Sequence, residues 1–84
     1  MEFFITEHAK KRAKQRCNFN EKTLTRMARK SLENPQITNK MFKYLETLKK
    51  QNGDDSIVCP YGGYIYIFQN CRLITVYYIP DGFK

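Results

Sequence analysis

The chain reads as an α+β domain: two or three N-terminal helices packed on a small antiparallel sheet of three or four strands. Three observations predict it. Apolar residues recur at helical spacing in the first half, at Leu24, Met27, Ala28 and Leu32 and again at Met41, Leu45 and Leu48. After Gly53 the composition changes to β-branched and aromatic residues. Two turn signals, Tyr61-Gly62-Gly63 and Asn70-Cys71, then divide that half into short strands. With 84 residues the chain is one domain, 1–84, with a mainly helical, basic part over 1–52 and a β-meander over 56–80.

Phe3, Phe4 and Ile5 are apolar enough for a short opening strand. Thr6 then caps a helix running to about Arg16, on which Ile5, Ala9 and Ala13 share one face. His8, Arg12 and Arg16 follow at i, i+4 and i+8, a single row beside that alanine face. Arg12 and Arg16 therefore sit where the helix meets the rest of the fold, while Lys10, Lys11 and Lys14 point to solvent. Asn20 caps a second helix, Phe19 and Leu24 hold the staple positions, and Asn34-Pro35 ends it. Asn39 is placed to cap a third helix carrying Met41, Leu45 and Leu48, stopped by Lys49, Lys50 and Asn52-Gly53; a strand or ordered loop over 39–51 is the competing reading.

Ser56–Cys59 reads as a strand ended by Pro60. Tyr64–Gln69 and Arg72–Ile79 form a hairpin through a two-residue Asn70-Cys71 loop. In the regular register, Ile65, Ile67, Ile74 and Val76 make an aliphatic floor for all the helices, so that Leu24, Met27 and Leu32 join them in one core. Tyr64, Tyr66, Phe68, Leu73, Thr75 and Tyr77 fall on the opposite face. Left open to water, that face is a stacking platform for bases; otherwise its aromatic pairs stabilise the sheet, or a terminal segment covers them.

Lys and Arg number 15 against 8 Asp and Glu, a net charge of +7 that points to a polyanionic partner, nucleic acid first. Residues 1–30 hold nine of those bases and three acids, a net +6; residues 31–56 hold four of each. Candidate nucleic-acid contacts are Lys10, Lys11, Lys14, Arg26, Arg29 and Lys30, with Tyr64 on the platform. No apolar run approaches the roughly 18 residues of a membrane span, and no signal-peptide pattern opens the chain, so no membrane partner is expected. Cys17, Cys59 and Cys71 are widely spaced and, with one His, make a poor zinc set; reduced thiols in a cytoplasmic protein are expected. No phosphate loop, dinucleotide turn, Ser-His-Asp arrangement or metal-binding carboxylate cluster is present, so neither metal nor cofactor is expected.

The run His8-Ala9-Lys10-Lys11-Arg12-Ala13-Lys14-Gln15-Arg16 resembles an H-A-x-x-R-x-x-x-R signature. Leu32-Glu33-Asn34-Pro35 follows at the end of the next helix, and a hydrophobic hairpin later. In that order the chain resembles the family called domain of unknown function 4258, grouped with RelE/ParE-type toxins and BrnT-like ribonucleases. The resemblance implies a RelE-like fold, an activity on RNA, free or ribosome-bound, without metal or cofactor, and an acidic antitoxin as partner. It carries over, residue by residue, only to His8, Arg12 and Arg16.

The residue types suit such chemistry. Metal-free RNA cleavage uses a base for the ribose 2′-OH, an acid for the leaving oxygen, and cations around the phosphorane. Imidazole is the natural proton carrier and guanidinium grips two phosphate oxygens. With one histidine in the chain, a two-histidine mechanism is excluded; the candidate catalytic set is His8, Arg12 and Arg16, completed by a tyrosine (Tyr66 or Tyr77), a lysine or Glu7. The plainer alternatives are a packing or capping role for His8, and ion pairs of Arg12 and Arg16 with Glu33, Asp54 or Asp55. The leading expectation is a small endoribonuclease of toxin type; the alternative is a non-enzymatic adaptor of a phage or mobile element that binds nucleic acid or an acidic protein.

Overall fold

A computed structural model describes residues 2–83. Helix α1 (Glu7–Cys17) is bounded by short polar residues at both ends. The Thr6 hydroxyl accepts from the Ala9 amide (3.1 Å) and donates to the Leu73 carbonyl (3.1 Å), so one side chain caps the helix and ties it to the sheet. At the other end Asn18 takes a left-handed conformation (φ 55°), and the Phe19 amide reaches back to the Ala13 carbonyl. That closing turn points Phe19 into the core. Helix α2 (Glu21–Glu33) starts at Asn20, whose side chain accepts from the Thr23 amide at 2.8 Å, and ends before Asn34-Pro35. Residues 39–52 are helical, a 3-10 turn over Asn39–Met41 leading into α3 (Phe42–Asn52), which decides against a strand there.

Four strands follow the order β1-β4-β3-β2: β1 (Phe4–Ile5), β2 (Ile57–Tyr61), β3 (Tyr64–Gln69) and β4 (Arg72–Tyr78). The fold is thus α+β, but its sheet is mixed. β1 runs parallel to β4 and the other pairs are antiparallel. β2 also continues through Pro60 to Tyr61 instead of stopping before it. Pro60 is tolerated because β2 is an edge strand, where its missing N–H costs no ladder bond. Gly62 (φ 60°) and Gly63 (φ 87°) supply the positive φ angles of a two-residue turn, and a Cβ on Gly62 would lie 2.9 Å from the Met27 methyl.

The single core expected from the regular register is replaced by two, one on each face. Gln69 pairs with Arg72 and Phe68 with Leu73 as expected, but Ile67 then pairs with Thr75, leaving Ile74 as a bulge. Beyond it every partner moves by one: Tyr66 faces Val76, Ile65 faces Tyr77 and Tyr64 faces Tyr78. A one-residue slip exchanges faces, so Val76 joins Tyr66, Phe68 and Leu73 under α1 and α2, with Leu24 in the same core. Ile65, Ile67 and Ile74 lie on the other face, beneath Met41, Leu45 and Leu48 of the third helical segment.

The aromatic face is therefore covered, not wet. The helices above it offer small residues, Ala9, Ala13 and Ala28, which let their backbones approach the sheet while Tyr66 and Phe68 fill the space between. Burying such a ring stabilises by about 1.5–3 kcal/mol, enough to prefer a lid of helices over an open platform.

Candidate nucleic-acid interface

α1 turns its alanines to the sheet and divides its polar residues among three directions. Lys11 and Lys14 are exposed on the outward side. Lys10 lies on the flank toward α2, where its ammonium bridges Glu7 (3.3 Å) and Glu21 (3.4 Å) and is held above the ordinary lysine range by those hydrogen bonds, Glu7 first. Lys10 therefore joins the two helices and, already matched by two carboxylates, is a poor phosphate ligand. The opposite flank carries His8, Arg12 and Gln15. Arg12 Nε donates to His8 Nε2 at 3.4 Å, and its Nη1 donates to Gln15 Oε1 at 3.3 Å.

Arg16, the third member of the predicted row, is employed otherwise. Its Nη1 donates to the Val76 carbonyl at 2.7 Å, and its guanidinium carbon stands 5.1 Å from the Tyr77 ring centroid. β1 is only two residues long and pairs with Arg72 and Leu73, so the outer edge of β4 is bare at Val76. Arg16 caps that bare carbonyl. The row thus holds an exposed end, His8 with Arg12, and an end built into the sheet edge. Among the described residues neither arginine forms an ion pair with Glu33, Asp54 or Asp55; Asp55 instead accepts from Gln69 Nε2 at 2.7 Å.

Of the predicted tyrosines, Tyr77 lies beside this row, at its Arg16 end, and Tyr66 and Tyr64 do not. Tyr66 is fully buried, its hydroxyl has no hydrogen-bond partner among the described residues, and burial raises its pKa well above the usual phenol range. A residue sealed from solvent cannot meet a substrate, so Tyr66 leaves the candidate catalytic set. Tyr77 is half-buried beneath Arg16, on the face covered by α3. Tyr64 packs edge-on against Phe19 (5.4 Å) and beside Tyr78 (5.9 Å), a packing role more than a platform.

α2 completes the basic layer. Arg26, Arg29 and Lys30 are exposed, and Arg29 lies 5.9 Å above the Phe3 ring. Lys22 is exposed on the same outward side. The sequence reading did not single it out, although a helical wheel places it with Arg26 and Arg29, away from Leu24 and Ala28. Lys11, Lys14, Lys22, Arg26 and Lys30 form no ion pair among the described residues. Two packed helices therefore present a layer of unneutralised cations on one side of the sheet.

No group of three or more His, Cys, Asp or Glu among the described residues could hold a metal ion. The cysteines are free; burial pushes the Cys17 and Cys59 thiols up to about 11, far from a reactive thiolate. No helix among the described residues is long and apolar enough to cross a membrane. No protein-family model, no curated protein and no solved structure matches the chain.

Proposed function

We propose that the protein binds RNA through the outward faces of α1 and α2, and that His8 and Arg12, at the flank of that surface, make it a metal-independent endoribonuclease of toxin type. The observation that carries the binding is the layer of unpaired cations, Lys11, Lys14, Lys22, Arg26 and Lys30, on two helices of one face. Cations held on rigid helices release counterions from a phosphate backbone without reading its bases. An acidic antitoxin would be recognised by the same layer.

Cleavage rests on the single exposed imidazole with an arginine in contact. His8 Nε2 accepts from Arg12 in that contact, and the same lone pair is the one a general base needs, so Arg12 swings from the imidazole to the phosphate when the 2′-OH reaches Nε2. The imidazole takes the proton of the 2′-OH, whose oxygen attacks the adjacent phosphorus; the bond from phosphorus to the 5′-oxygen breaks, and the leaving oxygen takes a proton from water. Arg12 faces the phosphorane oxygens. The products are a 2′,3′-cyclic phosphate and a 5′-hydroxyl.

The test is cleavage of an RNA strand by wild type, His8→Ala and Arg12→Lys, with binding measured in parallel. His8→Ala is expected to bind and not cleave. Arg12→Lys keeps the charge but loses the planar fork, and is expected to lose about 10²–10³ in rate with little change in affinity. Cleavage by His8→Ala at the wild-type rate refutes the assignment. Wild type that binds RNA and never cleaves it, ribosomes included, leaves the nucleic-acid adaptor as the function.

A further inference from the structure

The lid of helices over the aromatic face stops short of one end of the sheet. Tyr64 pairs with Tyr78 across β3 and β4, and the members of a cross-strand pair share a face. Tyr64 packs on the core beneath α1 and α2, so Tyr78 stands on that same side. Three rings follow one another there from inside to outside. Phe19, in the link between the two helices, meets Tyr64 edge-on at 5.4 Å, and Tyr64 meets Tyr78 at 5.9 Å with the ring planes tilted by 42°. Phe19 and Tyr64 are half-buried, whereas Tyr78 is 54% exposed. A single exposed ring is ordinary. This one is backed by two others and lies on the side of the sheet that carries the cation layer.

The charges come close to it along the chain. Lys14 stands in the last turn of α1 and Lys22 in the first turn of α2, on either side of Phe19. Neither lysine forms an ion pair among the described residues. Cations beside an exposed aromatic ring are the two parts that single-strand binding uses: the charges follow the backbone, and a base stacks on the ring. Charge by itself selects the other way, because a duplex packs its phosphates more densely than a single strand. In a duplex, however, the bases are paired and stacked inside, and none reaches a ring on the protein surface without unpairing. Tyr78 therefore supplies what the cation layer lacks, a reason to prefer an unpaired strand.

We propose that Tyr78 is the stacking site for one unpaired base of the bound strand, and that it makes single-stranded RNA, not duplex, the ligand of the α1–α2 layer. The inference rests on the RNA reading above and adds a base to a contact otherwise made of charge. Every base has a π-face, so the site selects strandedness and not sequence.

The experiment measures the affinity of the whole chain for three 2′-O-methylated strands, which cannot be cleaved by attack of the 2′-oxygen: a single strand, the same strand without its bases, and a duplex with the same number of phosphates. Wild type is expected to bind the single strand at least about fivefold more tightly than the base-free strand. Tyr78→Leu keeps an apolar contact with Tyr64 and loses the aromatic face; it is expected to lose that preference, and Tyr78→Phe to retain it. Thermal unfolding and the salt dependence of binding are expected to match wild type in both. A Tyr78→Leu protein that prefers the based strand as wild type does overturns the proposal and leaves the RNA reading standing. So does a wild type indifferent to the bases, or one that binds the duplex more tightly than the single strand. A wild type that binds none of the strands overturns both.

Discussion

Removing one oxygen atom should make this protein more stable. The Tyr66 hydroxyl is sealed beneath α1 and α2 with no hydrogen-bond partner among the described residues. A buried polar group without a partner costs about 1–3 kcal/mol relative to the same group in water. Tyr66→Phe removes that cost and keeps the ring, whose packing against the core is where the side chain's stabilisation resides. The loss to set against it is the small space the oxygen leaves, roughly 10 Å³, which at about 24 cal/mol per Å³ costs about 0.2 kcal/mol. The net expectation is a gain of about 1–2 kcal/mol, and for a domain of this size about 4–8 °C in Tm per kcal/mol. Urea unfolding gives the free energy, a thermal scan gives the Tm, and RNA binding and cleavage should match wild type in the variant. A Tyr66→Phe protein less stable than wild type would mean that the hydroxyl has a partner, such as a buried water, and one that folds but loses cleavage would return Tyr66 to the catalytic set.

Two further expectations separate structural from functional roles. Arg16→Ala should cost about 1–2 kcal/mol in urea unfolding, since it strips the Val76 carbonyl of its charged donor and Tyr77 of its cover, whereas Arg12→Ala, with only long contacts on its flank, should stay within about 0.5 kcal/mol. Alkaline stability should fall between about pH 9 and 11: Cys17 and Cys59 ionise near 9 when unfolded but are held protonated to about 11 by burial, so in that window the folded state binds more protons and stability declines as pH rises. Cys59→Ala, referred to its own stability at neutral pH, should show a shallower decline.

The local signals in the sequence map closely onto α1 and α2, whereas the cap read at Asn39 for the third helix is not formed: Asn39 lies inside the 3-10 turn, and neither Thr38 before it nor Met41 before α3 makes a side-chain cap bond. Thr6, Asn20 and Asn34-Pro35 bound α1 and α2 because caps and prolines act within a turn of themselves. The Asn70-Cys71 loop was legible for the same reason; both residues adopt positive φ, 53° and 60°. What stayed hidden is decided at longer range. In Leu73-Ile74-Thr75-Val76 every residue suits a strand, so nothing in the run marks Ile74 as the bulge, and one unmarked residue exchanges the faces of all that follows. The parallel pairing of β1 depends on α1 folding back along β4, which no property of Phe4 or Ile5 announces. The candidate site divided in the same way. The wheel places Arg12 and Arg16 where the helix meets the fold, and Arg16 does meet it, at the Val76 carbonyl. Tyr66 was misplaced because the face it occupies is covered by α1 and α2, which its own strand pattern does not reveal.

The central claim is that the α1–α2 layer binds RNA by charge, and its most direct measurement is the affinity of the whole chain for a single-stranded RNA across a series of salt concentrations. The account predicts a straight line of log K against log salt with a slope of about −0.7 per phosphate contacted, so that four to six contacts give roughly −3 to −4. Replacing Lys11 and Lys14 by alanine should flatten that slope by about 1.4 and leave thermal unfolding unchanged, both side chains being exposed. Absence of RNA binding near physiological salt, an affinity indifferent to salt, or a Lys11/Lys14 variant with the wild-type slope would contradict it.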